Sequence, residues 1–113
     1  LAGLIKSPAK KDNTHMPTKE TAIVASELVP RNRLRKSMIF SNESAADSVF
    51  IKRERAETPT VTSTDHDHRI GPGGILTLNF GTDGIEAIQD RWTVIASANT
   101  PRIAWFETED VVR

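Results

Sequence analysis

The chain has 113 residues, with 15 Lys+Arg balanced by 15 Asp+Glu, 37% hydrophobic and 5% aromatic residues, and no cysteine. That length forms one domain and buries enough surface for a core without cross-links, while zero cysteine excludes a disulfide scaffold, a thiol nucleophile and thiolate metal sites. No apolar stretch approaches the ~18 residues of a membrane span, Leu1–Ile5 is too short for the apolar part of a signal peptide, and zero net charge argues against whole-surface nucleic-acid binding.

Leu1 to Lys19 carries four lysines (Lys6, Lys10, Lys11, Lys19) and one aspartate, a net +3, with two prolines and no helical or alternating apolar period. Such a composition buries too little apolar surface to order itself, so an extended basic arm is expected over residues 1–19. The apolar cluster Leu1, Leu4 and Ile5 at its tip is unusual for a solvating tail and points to docking on a neighbour.

From Glu20 onward, short apolar runs alternate with turn residues. Thr21 to Val29 is rich in β-branched residues and stops at Pro30, which favours a strand. Arg33 to Ser41 alternates, with Leu34, Met38 and Phe40 on one face and Arg33, Arg35 and Ser37 on the other, before a turn at Asn42-Glu43-Ser44. Ser48 to Arg53 reads as another strand. Arg55 to Arg69 is a long polar connection in which Thr60 to Thr64 has the composition of a short exposed strand. Gly71-Pro72-Gly73-Gly74 makes a turn into Ile75 to Phe80, with Leu76, Leu78 and Phe80 inward. A second turn at residues 81–84 leads to the short apolar stretch Ile85 to Ile88. Two further strands, Arg91 to Ser97 and Pro101 to Glu107, carry Trp92 and Trp105 on core-facing positions, and residues 108–113 form an acidic tail. Seven short strands at intervals of roughly ten residues predict an all-β fold, a single antiparallel β-sandwich of Greek-key or jelly-roll type spanning residues 20–107.

Chemistry-bearing clusters are few. Asp65-His66-Asp67-His68 could present His66 and His68 side by side in an extended segment, but two imidazoles do not close a tetrahedral site, so His66, Asp67 and His68 are expected in an exposed polar loop. Serines occur without a nucleophile-elbow motif, and the glycine-rich turn lacks phosphate-loop spacing. No catalytic residue, metal or cofactor is therefore expected. Arg31, Arg33, Arg35 and Lys36 form the sharpest charge run. On one face of a strand, Arg31, Arg33 and Arg35 would either grip acidic side chains bidentately or protect a sheet edge from aggregation; the scarcity of interleaved aromatics argues against nucleic acid.

The order of these pieces resembles that of small virion proteins of tailed bacteriophages. The resemblance covers about Val29 to Glu107. It rests on Arg33 to Ser44, the short strand Val49-Phe50-Ile51, the turn and strand Ile70 to Leu78, and the closing strands Trp92 to Ser97 and Ile103 to Glu107. It implies a capsid decoration (cement) or head-fibre protein, often a homotrimer, seated on the major capsid protein at the outer surface of the virion and stabilising the head by bridging capsomers. Leu4, Ile5, Lys6, Lys10, Lys11, Arg31, Arg33 and Arg35 would then be interface residues, with the arm lying across a neighbouring subunit. A longer polar insertion and arm than that pattern requires also fit a tail, collar or head-fibre component that contacts the host surface, including through carbohydrate.

Overall fold

The computed structural model describes residues 17–79 and 84–109. Eight strands and one short helix are present among them: β1 (Thr18–Glu20), β2 (Ser26–Val29), β3 (Arg35–Asn42), β4 (Val49–Arg53), β5 (His68–Ile70), β6 (Ile75–Asn79), α1 (Ile85–Gln89), β7 (Trp92–Ala96) and β8 (Arg102–Glu109). They form two four-stranded antiparallel sheets, ordered β1-β8-β3-β6 and β2-β7-β4-β5. The all-β sandwich expected from the strand spacing is the fold observed.

The alternation of β3 sets the first sheet. Met38, Phe40 and Asn42 point inward and are buried, and their partners on β8 are Glu107, Trp105 and Ile103. From the second sheet, Val29, Val49, Ile51, Ile70, Trp92 and Val94 complete one core with Leu28, Leu78, Ile88 and Ile103. The Phe40 and Trp92 rings meet edge-on across the sandwich at 6.2 Å and 63°, a geometry that the aromatic quadrupole favours. Trp92, rather than a facing pair of tryptophans, is thus the central aromatic. Trp105 packs against the core from a half-buried position.

Several boundaries differ from the sequence expectation. Of the predicted strand over 21–29 only Ser26–Val29 is a strand, because residues 21–25 carry the chain from the first sheet to the second. Thr21 anchors that crossing by donating both N–H and hydroxyl to Pro101 O, at 3.0 and 2.7 Å, and β1 ahead of it takes in Thr18 and Lys19 from the predicted arm. The predicted strand Thr60 to Thr64 is instead an irregular segment leading into a tight turn over Thr62–Asp65, closed by a Thr62–Asp65 bridge, with Val61 buried before it. The stretch from Ile85 is a single helical turn whose Ile88 plugs the end of the sandwich. At the other end of the chain β8 runs on to Glu109, so Thr108 and Glu109 belong to the sheet and not to a tail.

Asn42 ties the sheets together. Its buried amide donates to the carbonyls of Asp47, Ile70 and Gly71 at 2.8–3.0 Å, and its Oδ1 accepts from Ser44 N at 3.0 Å. The Gly71–Gly74 turn it grips is shaped by Gly73 at φ +69 and by Gly74, where a Cβ would lie 3.0 Å from Gly71 O.

Candidate binding surfaces

The arginine run does not form one face. β3 begins at Arg35, not Arg33, and a bulge between Arg35 and Ser37 turns the Arg35 side chain into the end of the sandwich, where it is fully buried. Its Nε meets Glu107 Oε1 at 2.6 Å, Nη1 donates to the carbonyls of Ile88 (2.9 Å) and Asp90 (3.2 Å), and Nη2 donates to Pro30 O at 2.8 Å. A guanidinium with its fork filled in this way is a structural bolt joining β3, β8, α1 and the β2–β3 connection, and it is not available to a partner. Arg31 and Arg33 stay on the surface, in the turn before β3, and no hydrogen bond or ion pair joins either side chain to another described residue.

Beside Arg31 the fold adds arginines that the linear run does not contain. Arg53 Nε and Arg55 Nε approach the nearly buried Asp90 carboxylate at 3.7 and 2.9 Å. Arg91 bonds Glu27 at 2.8 Å and also donates to Ala56 O. Arg31, Arg55, Asp90 and Arg91 line a depression of about 220 Å³. Its neighbour, lined by Arg53, Asp67, His68, Leu78, Ala87 and Trp92, holds about 280 Å³. Both fall below the ~300 Å³ at which small-molecule pockets begin, so the edge presents charge more than it encloses a ligand. Arg53 and Arg55 were legible as alternate residues at a strand end; their convergence on Asp90 was not, because it joins positions 35 or more residues apart.

The two predicted imidazoles separate. His66 packs at a tilt of 51° against Phe50 with ring centroids 4.7 Å apart, and His68 lies 5.9 Å from Trp92. Phe50 faces away from the core, whereas Trp92 faces into it, so the rings sit against opposite faces of the second sheet. Asp67 accepts from Arg53 N at 2.7 Å. Among the described residues no three His, Asp or Glu side chains gather to hold a metal ion.

The outer faces of the two sheets are finished differently. On the second sheet the chain covers itself: the β4–β5 connection folds back over Phe50, Lys52 and Thr93. Glu54, buried there, accepts from Thr60 N (2.9 Å), Thr60 Oγ1 (2.8 Å) and Thr93 Oγ1 (2.5 Å), and Lys52 reaches Thr60 and Asp65 at 2.9 and 2.8 Å. Burial alone would raise the Glu54 carboxyl, but the hydrogen bonds from Thr93 and Thr60, with the Lys52 charge, outweigh it and hold the group below the usual carboxylate range. Lys52 is raised, chiefly by its hydrogen bond to Asp65.

On the first sheet no described segment lies across the outer face. Ser37, Ile39 and Ser41 of β3 align with Thr108, Phe106 and Ala104 of β8 and with Asn79, Thr77 and Ile75 of β6, a three-by-three grid. In a chain with 27% charged residues, none of these nine is charged. Ile75 is 69% and Phe106 37% exposed. Charge returns at the β1 end of the same face, where Arg102 meets Glu20 at 3.3 Å, as a face that alternates apolar-in and polar-out requires.

Leu4, Ile5, Lys6, Lys10 and Lys11 lie outside the described residues. No family model, curated protein or solved structure matches the chain.

Proposed function

We propose that this chain is a non-catalytic structural module that attaches to an acidic protein surface through Arg31 and Arg33, and that its partner is the major capsid protein of a tailed phage, where it acts as a decoration protein on the outer shell. The carrying observation is the pair of exposed arginines on the turn before β3, whose side chains have no partner among the described residues. Arg31 shares the rim of a shallow depression with Arg55, itself 62% exposed. Guanidinium groups with unused forks are suited to bidentate contacts with carboxylates. The capsid partner comes from the resemblance of the strand order to small virion proteins, and a sandwich whose two described depressions are both smaller than a typical ligand pocket fits a reinforcing role. Bridging adjacent capsomers adds contacts that must break before they separate.

Binding of the protein to purified heads that lack it tests this reading. The wild-type chain should co-sediment with heads and raise their heat and low-salt resistance, and R31E/R33E should do neither while keeping its fold. Heads of unchanged resistance would remove the reinforcing role. A tail, collar or head-fibre location predicts a few copies per particle instead of many. Its carbohydrate-binding version has no tryptophan to offer as an open platform, since Trp92 is 2% exposed and Trp105 faces the core.

A further inference from the structure

We propose that the open edge of β6 pairs antiparallel with β6 of a second copy of this chain, joining two sandwiches through one continuous sheet. The inference concerns the isolated protein and a surface other than Arg31 and Arg33, so it does not depend on what those arginines meet.

Each sheet ends in two edge strands, and three of the four carry a device against edge-to-edge pairing. β1 is three residues long and includes Lys19 and Glu20, and β5 is three residues long with Arg69 at its centre. β2 has four residues, includes Glu27, and shifts register between Glu27 and Val29. β6 has none of these. Its five residues, Ile75-Leu76-Thr77-Leu78-Asn79, contain no charge and no proline, and its register against β3 runs unbroken. Among the described residues no strand pairs with its other side.

The ladder fixes where the backbone groups of β6 point. Asn42 N donates to Gly74 O at 2.9 Å, which makes Asn42 and Gly74 a hydrogen-bonded pair in the β3–β6 register. Bonded pairs recur at every second residue of an antiparallel ladder. Phe40–Leu76 and Met38–Leu78 are therefore bonded, and Ile75 and Thr77 aim N–H and C=O away from β3. Strand addition uses such outward groups. A second β6, run antiparallel about a two-fold axis at Leu76, sets Ile75 of each copy opposite Thr77 of the other, and both pairs exchange N–H···O=C bonds. The same axis brings the half-buried Leu76 of each copy together on the core side. It also gives Ile75, 69% exposed, a β-branched cross-strand neighbour. A two-fold axis sets like against like, which is costly for a charged strand, but no side chain of β6 repels its own copy. Arg69, on the neighbouring edge, is turned back onto Ser48 Oγ at 2.8 Å. This self-complementarity selects a second copy as the occupant. A two-fold contact closes at two copies, and so differs from the three-fold contact of the homotrimer that the resemblance implies.

Sedimentation and amide hydrogen exchange of the full chain test the pairing. Wild type should sediment at twice the mass of the chain when concentrated and at the chain mass on dilution. I75K/T77K sets lysines about the axis at two exposed positions and should stay at the chain mass throughout, with unchanged circular dichroism. In wild type the Ile75 and Thr77 amides should exchange about tenfold slower in the concentrated sample than in the dilute one, while those of Leu76 and Leu78, bonded to β3, stay slow in both. The exchange result is read on wild type alone, so it decides even if I75K/T77K does not fold. Wild type of chain mass at every concentration overturns the proposal, as does a dimer that folded I75K/T77K retains. Slow Ile75 and Thr77 amides in a species of chain mass would show that the chain covers its own edge, and fast ones at every concentration would leave the edge to a different partner; both also overturn it. Attachment to heads through Arg31 and Arg33 is measured separately and moves neither readout.

Discussion

Replacing Arg35 by methionine removes a guanidinium that is 0% exposed and makes four hydrogen bonds. Methionine fills most of the volume, so the loss is largely polar. The carbonyls of Ile88, Asp90 and Pro30 lose their donor, and the Glu107 carboxylate loses its cation. Breaking a buried ion pair from one side costs about 3–5 kcal/mol. Glu107 keeps 29% exposure and a second donor in Asn32, which places R35M near the lower end, about 3 kcal/mol. Against a total stability of order 5–15 kcal/mol, and at roughly 4 °C per kcal/mol for a domain of this size, the midpoint should fall by about 12 °C. Urea or thermal unfolding followed by the emission of buried Trp92 reads this directly. R35K keeps the charge but not the planar fork and should recover about half of the loss. An R35M midpoint within about 2 °C of wild type would refute the assignment of Arg35 as a structural bolt, and with it the argument that only Arg31 and Arg33 of the run face a partner.

Other expectations follow from the covered sheet and the strained turns. The Glu54 carboxyl is lowered in the folded state, so its contribution is present above its unfolded value near 4.5 and is lost as pH falls through the folded one. Wild type should therefore lose stability more steeply than E54Q as the pH falls below the unfolded value of 4.5, as two urea titration series would show. T93V removes a fully buried hydroxyl that donates to Glu54 and should cost about 1–2 kcal/mol at pH 7 in equilibrium unfolding. Gly73→Ala, at φ +69 with open space around the Cβ, should cost about 1 kcal/mol from backbone conformation alone, without altering any contact seen by spectroscopy. Iodide should quench Trp105 more than Trp92, readable with W92F and W105F variants.

What the sequence carried was the alternation of its long strands. Met38 and Phe40, Leu78, Trp92 and Val94, and Ile103 all point inward as the period of two requires. The missing pieces are those that period cannot encode. β1 has three residues, Thr-Lys-Glu, with no apolar signature, and is a strand only because β8 is there to pair with it. A single turn of helix looks the same as a strand over Ile85 to Ile88, and the choice is made by the end of the sandwich that Ile88 plugs. Thr60 to Thr64 has strand composition but obeys the carboxylate of Glu54, which holds both Thr60 donors. Arg35 reads as surface charge until Glu107, 72 residues later, lies beside it. The exposed arginines were visible as a run; their neighbours Arg53, Arg55 and Arg91 required the fold, as did the uncharged grid, whose nine members come from three distant strands.

The position of β8 also governs how the protein is made. It is the last of the described strands, yet it lies inside its sheet, between β1 and β3. The second sheet has all its strands once residue 96 has left the ribosome, whereas the first cannot close until residues 102–109 have followed. During that interval β1 has no partner and β3 offers an open flank, so the nascent chain passes through a half-sandwich with bare edges. Loss of β8 would take out the middle of a sheet rather than trim its margin, leaving β1 without a partner and the flank of β3 open.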